Sequence, residues 1–323
     1  RQHVLNDHQP GEIVLDRFYV YPLVGVMPGE MQLAVGAYRP DTPGASRLAL
    51  ADGADYVPLT PLDLRAADFV PVSSRPRRTP FVDGPTWVGV DWDTTVTGRL
   101  RLYLHWQGRT ESVALDTAIY QGGAMLAQAQ VSLLEGGYAS VAYDLPPGAG
   151  SLALVTSRDA VGPWGVSRNQ LALPDPRPDE RYVPVGGEMV LMGAAVNRRD
   201  ALASGAHLSY DLRLVAAYPL LRDRIVSVSL VGLNPDESWA WRVSSDGVPA
   251  LGAMPTFKWI HGSTILDRHR LTVPDSVPQG DAQAWLRVYD HYTQSILPPL
   301  DLHMLRRGVA VPLHSFTVST PPG

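Results

Sequence analysis

The stretch Gly262–Tyr289, GSTILDRHRLTVPDSVPQGDAQAWLRVY, has an echo near the other end of the chain, where Gly11–Tyr38 reads GEIVLDRFYVYPLVGVMPGEMQLAVGAY. At one constant offset and without a gap, Gly11, Leu15, Asp16, Arg17, Gly29, Gln32 and Tyr38 fall on Gly262, Leu266, Asp267, Arg268, Gly280, Gln283 and Tyr289. Each copy alternates apolar and polar residues, breaks at a turn carrying Pro and Gly, and then alternates again. Alternation sends successive side chains to opposite faces of a strand. The unit is therefore strand, turn, strand, read as a hairpin. Self-similarity of this kind exposes the module from which a chain is built.

A weaker relative, YASVAYDLPPGAGSLALV, occupies Tyr138–Val155. Between the copies lie further short alternating runs, such as GRLRLYLHW at Gly98–Trp106 and RIVSVSLVGL at Arg224–Leu233. AMLAQAQVSLLE, at Ala124–Glu135, has enough Ala and Leu for a short helix, but it alternates from Leu126 to Val131 and reads as a strand. The 29 Gly and 29 Pro are spread along the whole chain and keep every segment short. Many short strands with frequent turns and no helical periodicity predict an all-β fold of tandem antiparallel β-sandwich modules, immunoglobulin-like or jelly-roll-like.

Two Pro- and Arg-rich stretches, PVSSRPRRTP (Pro71–Pro80) and LPDPRPDERYVP (Leu173–Pro184), read as linkers because Pro disfavours both ladder pairing and helix. They divide the chain into a partial module at 1–72 and two modules at 73–174 and 175–323. In the last module about 80 residues precede the ILDR strand, as expected for a full-sized sandwich. The first has only Arg1–Pro10 ahead of its repeat. Either the sequence starts inside a module, or the middle module covers the open sheet face, with Val14, Leu33 and Val35 buried there.

Composition narrows the partners. The 323 residues are 45% apolar and 18% charged, sufficient for sizeable cores. A net charge of −5 gives no electrostatic footprint for nucleic acid. Without cysteine there is no disulfide and no thiolate metal site. The longest apolar run, MVLMGAAV at Met189–Val196, is far short of a membrane span, and no signal peptide opens the sequence.

The block PTFKWIHGSTILDRHRLTVPDSVPQGDAQAWLRVYD, at Pro255–Asp290, resembles the end of the soluble β-sandwich region that follows the transmembrane helices of bacterial membrane glycosyltransferases of the protein-mannosyltransferase-like kind. Trp259, Gly262, Asp267, Pro274, Gly280, Tyr289 and Asp290 carry the resemblance. The first copy shares it through Gly11, Asp16, Pro28, Gly29 and Tyr38, but lacks the Trp and continues Arg-Pro after the Tyr. The resemblance covers about a third of the chain. It implies an extracytoplasmic, sugar-related accessory region, membrane-anchored through a segment absent from this chain. It supplies no catalytic residue, since in that family the chemistry belongs to the membrane part.

Candidate sites are few. Trp239 and Trp241, spaced i, i+2, share a strand face by simple alternation, and Trp259, Tyr289 and Tyr292 lie in segments that can neighbour them. Such a cluster is either the core of a sandwich or a stacking platform for pyranose rings. Asp91 and Asp93 in VDWDTT share a face and can ligate calcium or act as a glycosidase pair, or can simply cap a turn. The Asp16-Arg17 and Asp267-Arg268 pairs read as neighbours on opposite strand faces. The nine His make no H-x-x-x-H or H-E-x-x-H spacing, and nucleophile-elbow and phosphate-loop patterns are missing. We therefore expect no catalytic residue, cofactor or metal. The predicted function is a non-catalytic β-sandwich array that binds a glycan or cell-envelope polysaccharide, with an upstream membrane domain of the same protein as a further partner. The alternatives are a glycan-active hydrolase with loop carboxylates and a structural spacer or surface protein.

Overall fold

The computed structural model describes residues 20, 29–36, 49, 52–65, 68–81, 84–95, 98–109, 112–149, 151–158, 167–197, 201–234, 238–300 and 310–319. Strand makes up 60% of the described residues and no α-helix occurs among them, against a usual strand share of about 20–25%. The fold is all-β and antiparallel in nearly every pairing, the exception being one short parallel contact.

Near the N-terminus, β1 (Gly29–Val35) pairs antiparallel with β2 (Val57–Leu64) in a two-stranded sheet. The middle unit contains β3 (Arg75–Pro80), β4 (Thr86–Asp93), β5 (Leu100–Gln107), β6 (Val113–Gln121), β7 (Ala124–Leu133), β8 (Tyr138–Leu145), β9 (Leu152–Arg158) and β10 (Ser167–Ala172). Its two sheets run β3-β4-β5-β8 and β10-β9-β6-β7. The C-terminal unit contains β11 (Val183–Val185), β12 (Met189–Val196), β13 (Leu202–Ala203), β14 (His207–Ala216), β15 (Arg224–Leu233), β16 (Trp239–Gly247), β17 (Thr264–Thr272), β18 (Gly280–Asp290), β19 (Ile296–Leu297) and β20 (Val311–Ser319). Its sheets run β11-β12-β14-β17 and β13-β20-β18-β15-β16, with β19 on the side of β18.

These two orders are one order. Setting aside the short β13 and β19, strand for strand β3, β4, β5 and β8 correspond to β11, β12, β14 and β17. The other sheets match as β10-β9-β6-β7 and β20-β18-β15-β16. The second set is the G-F-C-C′ order of an immunoglobulin-type Greek key, facing an A-B-E sheet with one added edge strand. Each unit buries its own core. Trp92, Trp106, Leu102, Leu104, Ile119 and Leu154 fill the middle one, and Trp259, Tyr210, Leu212, Val228, Leu230 and Leu286 the C-terminal one.

The repeated motif takes an unexpected form. β17 and β18 do not pair with each other; they lie in opposite sheets, and so do β8 and β9. The Pro-Gly segment is thus an arch that carries the chain across the sandwich. Alternation identifies strands but is silent on their partners. In the first copy, Leu15 and Asp16 lie outside the described residues, but Gly29 and Gly280 open their strands at φ 143° and 148°, a conformation that favours Gly. Leu33 is half-buried and Val35 exposed, so the middle unit does not cover β1 there; Val14 lies outside the described residues.

The stretch Pro71–Pro80 is no linker, because Arg75–Pro80 forms the edge strand β3, where Pro is tolerated and a bulge falls between Pro76 and Thr79. Leu173–Tyr182 is irregular but pinned. The half-buried Arg75–Glu180 ion pair closes to 2.5 Å, Trp92 Nε1 donates to the Pro174 carbonyl, and Arg181 donates to the carbonyls of Pro312 and Leu313. Tyr182 packs on Tyr103 and donates to the Val72 carbonyl. The joint between the two sandwiches is a packed interface, with Tyr103, Tyr182, Val190, Met192 and Val215 buried together.

Candidate functional site

The joint takes up the polar residues that looked most like chemistry. Asp91 and Asp93 are buried on the face of β4 turned away from the middle core. Asp91 accepts from Ser74 N and Oγ and from His105 Nε2 at 3.0 Å, while His105 Nδ1 lies 2.7 Å from Ser140 Oγ. Asp93 caps the turn through Thr95 N and Oγ. This Ser, His and Asp alignment joins adjacent strands of one sheet, with His105 fully buried. No group of three metal-ligating side chains occurs among the described residues. The Asp91 and Asp93 carboxylates bond within the middle unit, buried beside the joint, and frame no open cleft.

The aromatic candidates separate. Trp259 is only 1% exposed, lies in the C-terminal core and donates Nε1 to the Met254 carbonyl. It is a core residue and no part of a ligand surface. Trp239 and Trp241 do not share a face. A bulge between Gly232 and Leu233 shifts the register, pairing Gly232 with Trp241 but Leu233 with Trp239, which leaves Ala240 unmatched. Trp241 turns inward and packs against the core over Gly232, where any Cβ would stand 2.0 Å from its Nε1. Trp239 turns outward and is 53% exposed. Tyr292 is exposed in the turn after β18, at the end of that strand remote from Leu233 and Trp239, with its ring edge against His291. Tyr289 is half-buried, and burial together with Asp246 raises its hydroxyl pKa.

The face that receives Trp239 is the outer side of the β20-β18-β15-β16 sheet. Its centre is β15, where Val226, Val228 and Leu230 point into the core and Ser227 and Ser229 point out. Cross-strand register sets Arg287 and Asp246 on either side of Ser227, and Trp285 and Ser244 on either side of Ser229. The two β15 serines form the covered floor of a trough, each only 2% exposed, beneath the longer side chains around them. Over it, the Arg242 and Arg287 guanidiniums lie 5.5 and 5.6 Å from the Trp239 ring centroid. Arg242 also donates to Ser244 Oγ and Ser229 Oγ. Beside Leu233, a depression of about 410 Å³ continues the face past Asp281, Gln283, Ser315 and Thr317. Sequence reasoning missed Trp285, Arg287 and the serines. Period-two spacing of Gln283, Trp285, Arg287 and Tyr289 on one side of β18 was the available signal.

No family model matches the chain, and no curated protein sequence does. Solved structures similar to it include a red sea bream transglutaminase, at 8% identity over 75% of this chain and 32% of that one, with a TM-score of 0.22. A putative β-galactosidase from Bacteroides fragilis is 13% identical over 74% and 34%, with a TM-score of 0.23. A Bacteroides uniformis β-glucuronidase is 11% identical over 65% and 27%, with a TM-score of 0.24. The chain spans about a third or less of the length of these proteins. The immunoglobulin-type assignment rests on strand order, not on these likenesses.

Proposed function

We propose that the chain is a non-catalytic pair of immunoglobulin-like sandwiches that binds glycan on the outer face of the C-terminal one. The observation that carries this reading is Trp239, a large indole turned out of the core by a bulge onto a face that also carries Trp285, Tyr289 and the exposed Ser244 hydroxyl. An exposed aromatic flanked by directed polar groups suits a pyranose, whose CH-rich face stacks while its hydroxyls find hydrogen bonds. In keeping with the glycosyltransferase resemblance, we place the chain outside the cytoplasmic membrane as an accessory region of a cell-envelope enzyme. Among the described residues no helix is long and apolar enough to cross a membrane.

The test is titration with bacterial surface polysaccharides, followed by tryptophan fluorescence and calorimetry. Binding in the micromolar-to-millimolar range, about 4–8 kcal/mol, is expected. Trp239→Ala should abolish it without unfolding the chain. Wild-type protein that binds no polysaccharide would leave the second reading, a rigid spacer, which the packed joint with its half-buried Arg75–Glu180 pair favours.

A further inference from the structure

The trough is not neutral. Arg242 and Arg287 both lie against Trp239, yet among the described residues neither guanidinium has a carboxylate oxygen within 4.0 Å. Among the other arginines of this unit, Arg224 binds Asp290 and Glu188 and Arg268 binds Asp211, while Arg181 and Arg213 donate to backbone carbonyls. Arg287 Nε is shielded from solvent and has no hydrogen-bond partner. Burial, and then the charge of Arg242, lower the pKa of Arg287. Asp246, on the same strand as Arg242, acts on Tyr289 but pairs with neither arginine. Two like charges share one ring here, and the shielded Arg287 Nε has an idle donor, so an anion seated between the two guanidiniums would relieve both.

The fold does not require this cluster. The matching face of the middle sandwich carries Ala114, Asp116, Ala118 and Tyr120 on β6, Gln128, Gln130 and Ser132 on β7, and Ala153 and Val155 on β9. None of these positions is an arginine or a tryptophan, although the strand order is the same. The chain as a whole carries a net charge of −5, which repels anions at long range, so an acidic ligand must be held by local contacts.

We propose that this face selects an acidic glycan, a pyranose whose anionic substituent sits between Arg242 and Arg287 while sugar CH groups cover the remaining exposed indole of Trp239. The inference rests on the glycan-binding reading above and adds the charge of the ligand. Planar guanidiniums bind carboxylate or sulfate through paired N–H donors, and the exposed Ser244 supplies a hydroxyl at the same level, while the buried Ser229 accepts from Arg242 and helps to hold its guanidinium.

The experiment titrates the full chain with oligogalacturonate, dextran sulfate, neutral dextran and polyglutamate, at low and high salt. Oligogalacturonate or dextran sulfate should bind at least about tenfold more tightly than neutral dextran, a difference of 1.4 kcal/mol. The preferred one of the two identifies carboxylate or sulfate as the recognised group. Arg242→Gln and Arg287→Gln should each weaken that binding about tenfold or more and flatten its salt dependence. Arg242 lies on an exposed position of an edge strand, so its variant keeps the test valid if Arg287→Gln fails to fold. Equal affinity for neutral dextran would overturn the acidic inference and leave glycan binding standing. Binding to no polysaccharide would overturn both. Polyglutamate bound as tightly as the acidic sugars, or acidic binding unchanged in Arg242→Gln, would also overturn the proposal.

Discussion

The outer faces of β10-β9-β6-β7 and β20-β18-β15-β16 are built on one strand order and differ completely in chemistry. On the middle sandwich the described positions are small or neutral, with Asp116 and Tyr120 the largest departures; on the C-terminal one, Trp239, Trp285, Arg242 and Arg287 crowd a floor of serines. Cores answer to packing, and here both are apolar and filled. Outer faces are free of that demand, so what accumulates on one copy and not on its counterpart points to a task and not to stability. The face turned toward the joint shows a third outcome: polar residues such as Asp91 and His105 are consumed by bonds between strands of the middle sheet, covered by Tyr182.

The largest expected effect separates core from face. Trp259→Ala should cost about 3–5 kcal/mol in chemical denaturation, because a buried indole leaves a cavity, whereas Trp239→Ala should stay within about 0.5 kcal/mol. Equal losses would erase the distinction between the two tryptophans. Next comes Gly232→Ala, whose new Cβ would stand 2.0 Å from Trp241 Nε1. Displacing that indole should cost about 1–3 kcal/mol and change the tryptophan emission. An unchanged spectrum with full stability would mean that Trp241 does not cover the glycine.

A smaller effect appears with acid. Burial pushes the Asp290 carboxyl up, but donors from Thr293 and Tyr292 and the charge of Arg224 outweigh it and hold its pKa below the ordinary value. The stability it contributes is full above about pH 4, the unfolded value, and is lost as the pH falls through the lower folded one. Thermal unfolding across that window should show the C-terminal sandwich weakening, and Asp290→Asn should flatten the slope. Smallest of all is Tyr120→Ala on the middle face, expected to change glycan affinity by less than about twofold, under ~0.5 kcal/mol. A larger loss would show that both faces bind and would dissolve the contrast.

The strands were legible because alternation survives in RIVSVSLVGL and QAWLRVYDHY, and even AMLAQAQVSLLE forms β7. Partnership was not legible. GSTILDRHRLTV and its successor read equally well as a hairpin or an arch, because each strand's pattern states only that one face is buried. The Trp239–Trp241 pair failed for a related reason. Period two assumes an unbroken ladder, and a single unmatched residue, Ala240, reverses the face of everything beyond it.

By itself, the amino-acid sequence determined the class of fold, the recurrence of the Pro-Gly segment and the short reach of every element, because turn chemistry and alternation are local properties. It also excluded disulfides, by composition alone. Tertiary structure decided which strands pair within each sheet, which tryptophan is core, and that Asp91 is bonded to Ser74 and His105. It alone gathered Arg242, Arg287, Trp239 and the floor serines from three strands onto one surface. Those residues are up to 60 positions apart, Ser227 to Arg287, and no local pattern connects them. Cross-strand register sets their proximity, and register follows from burying both sandwich faces at once.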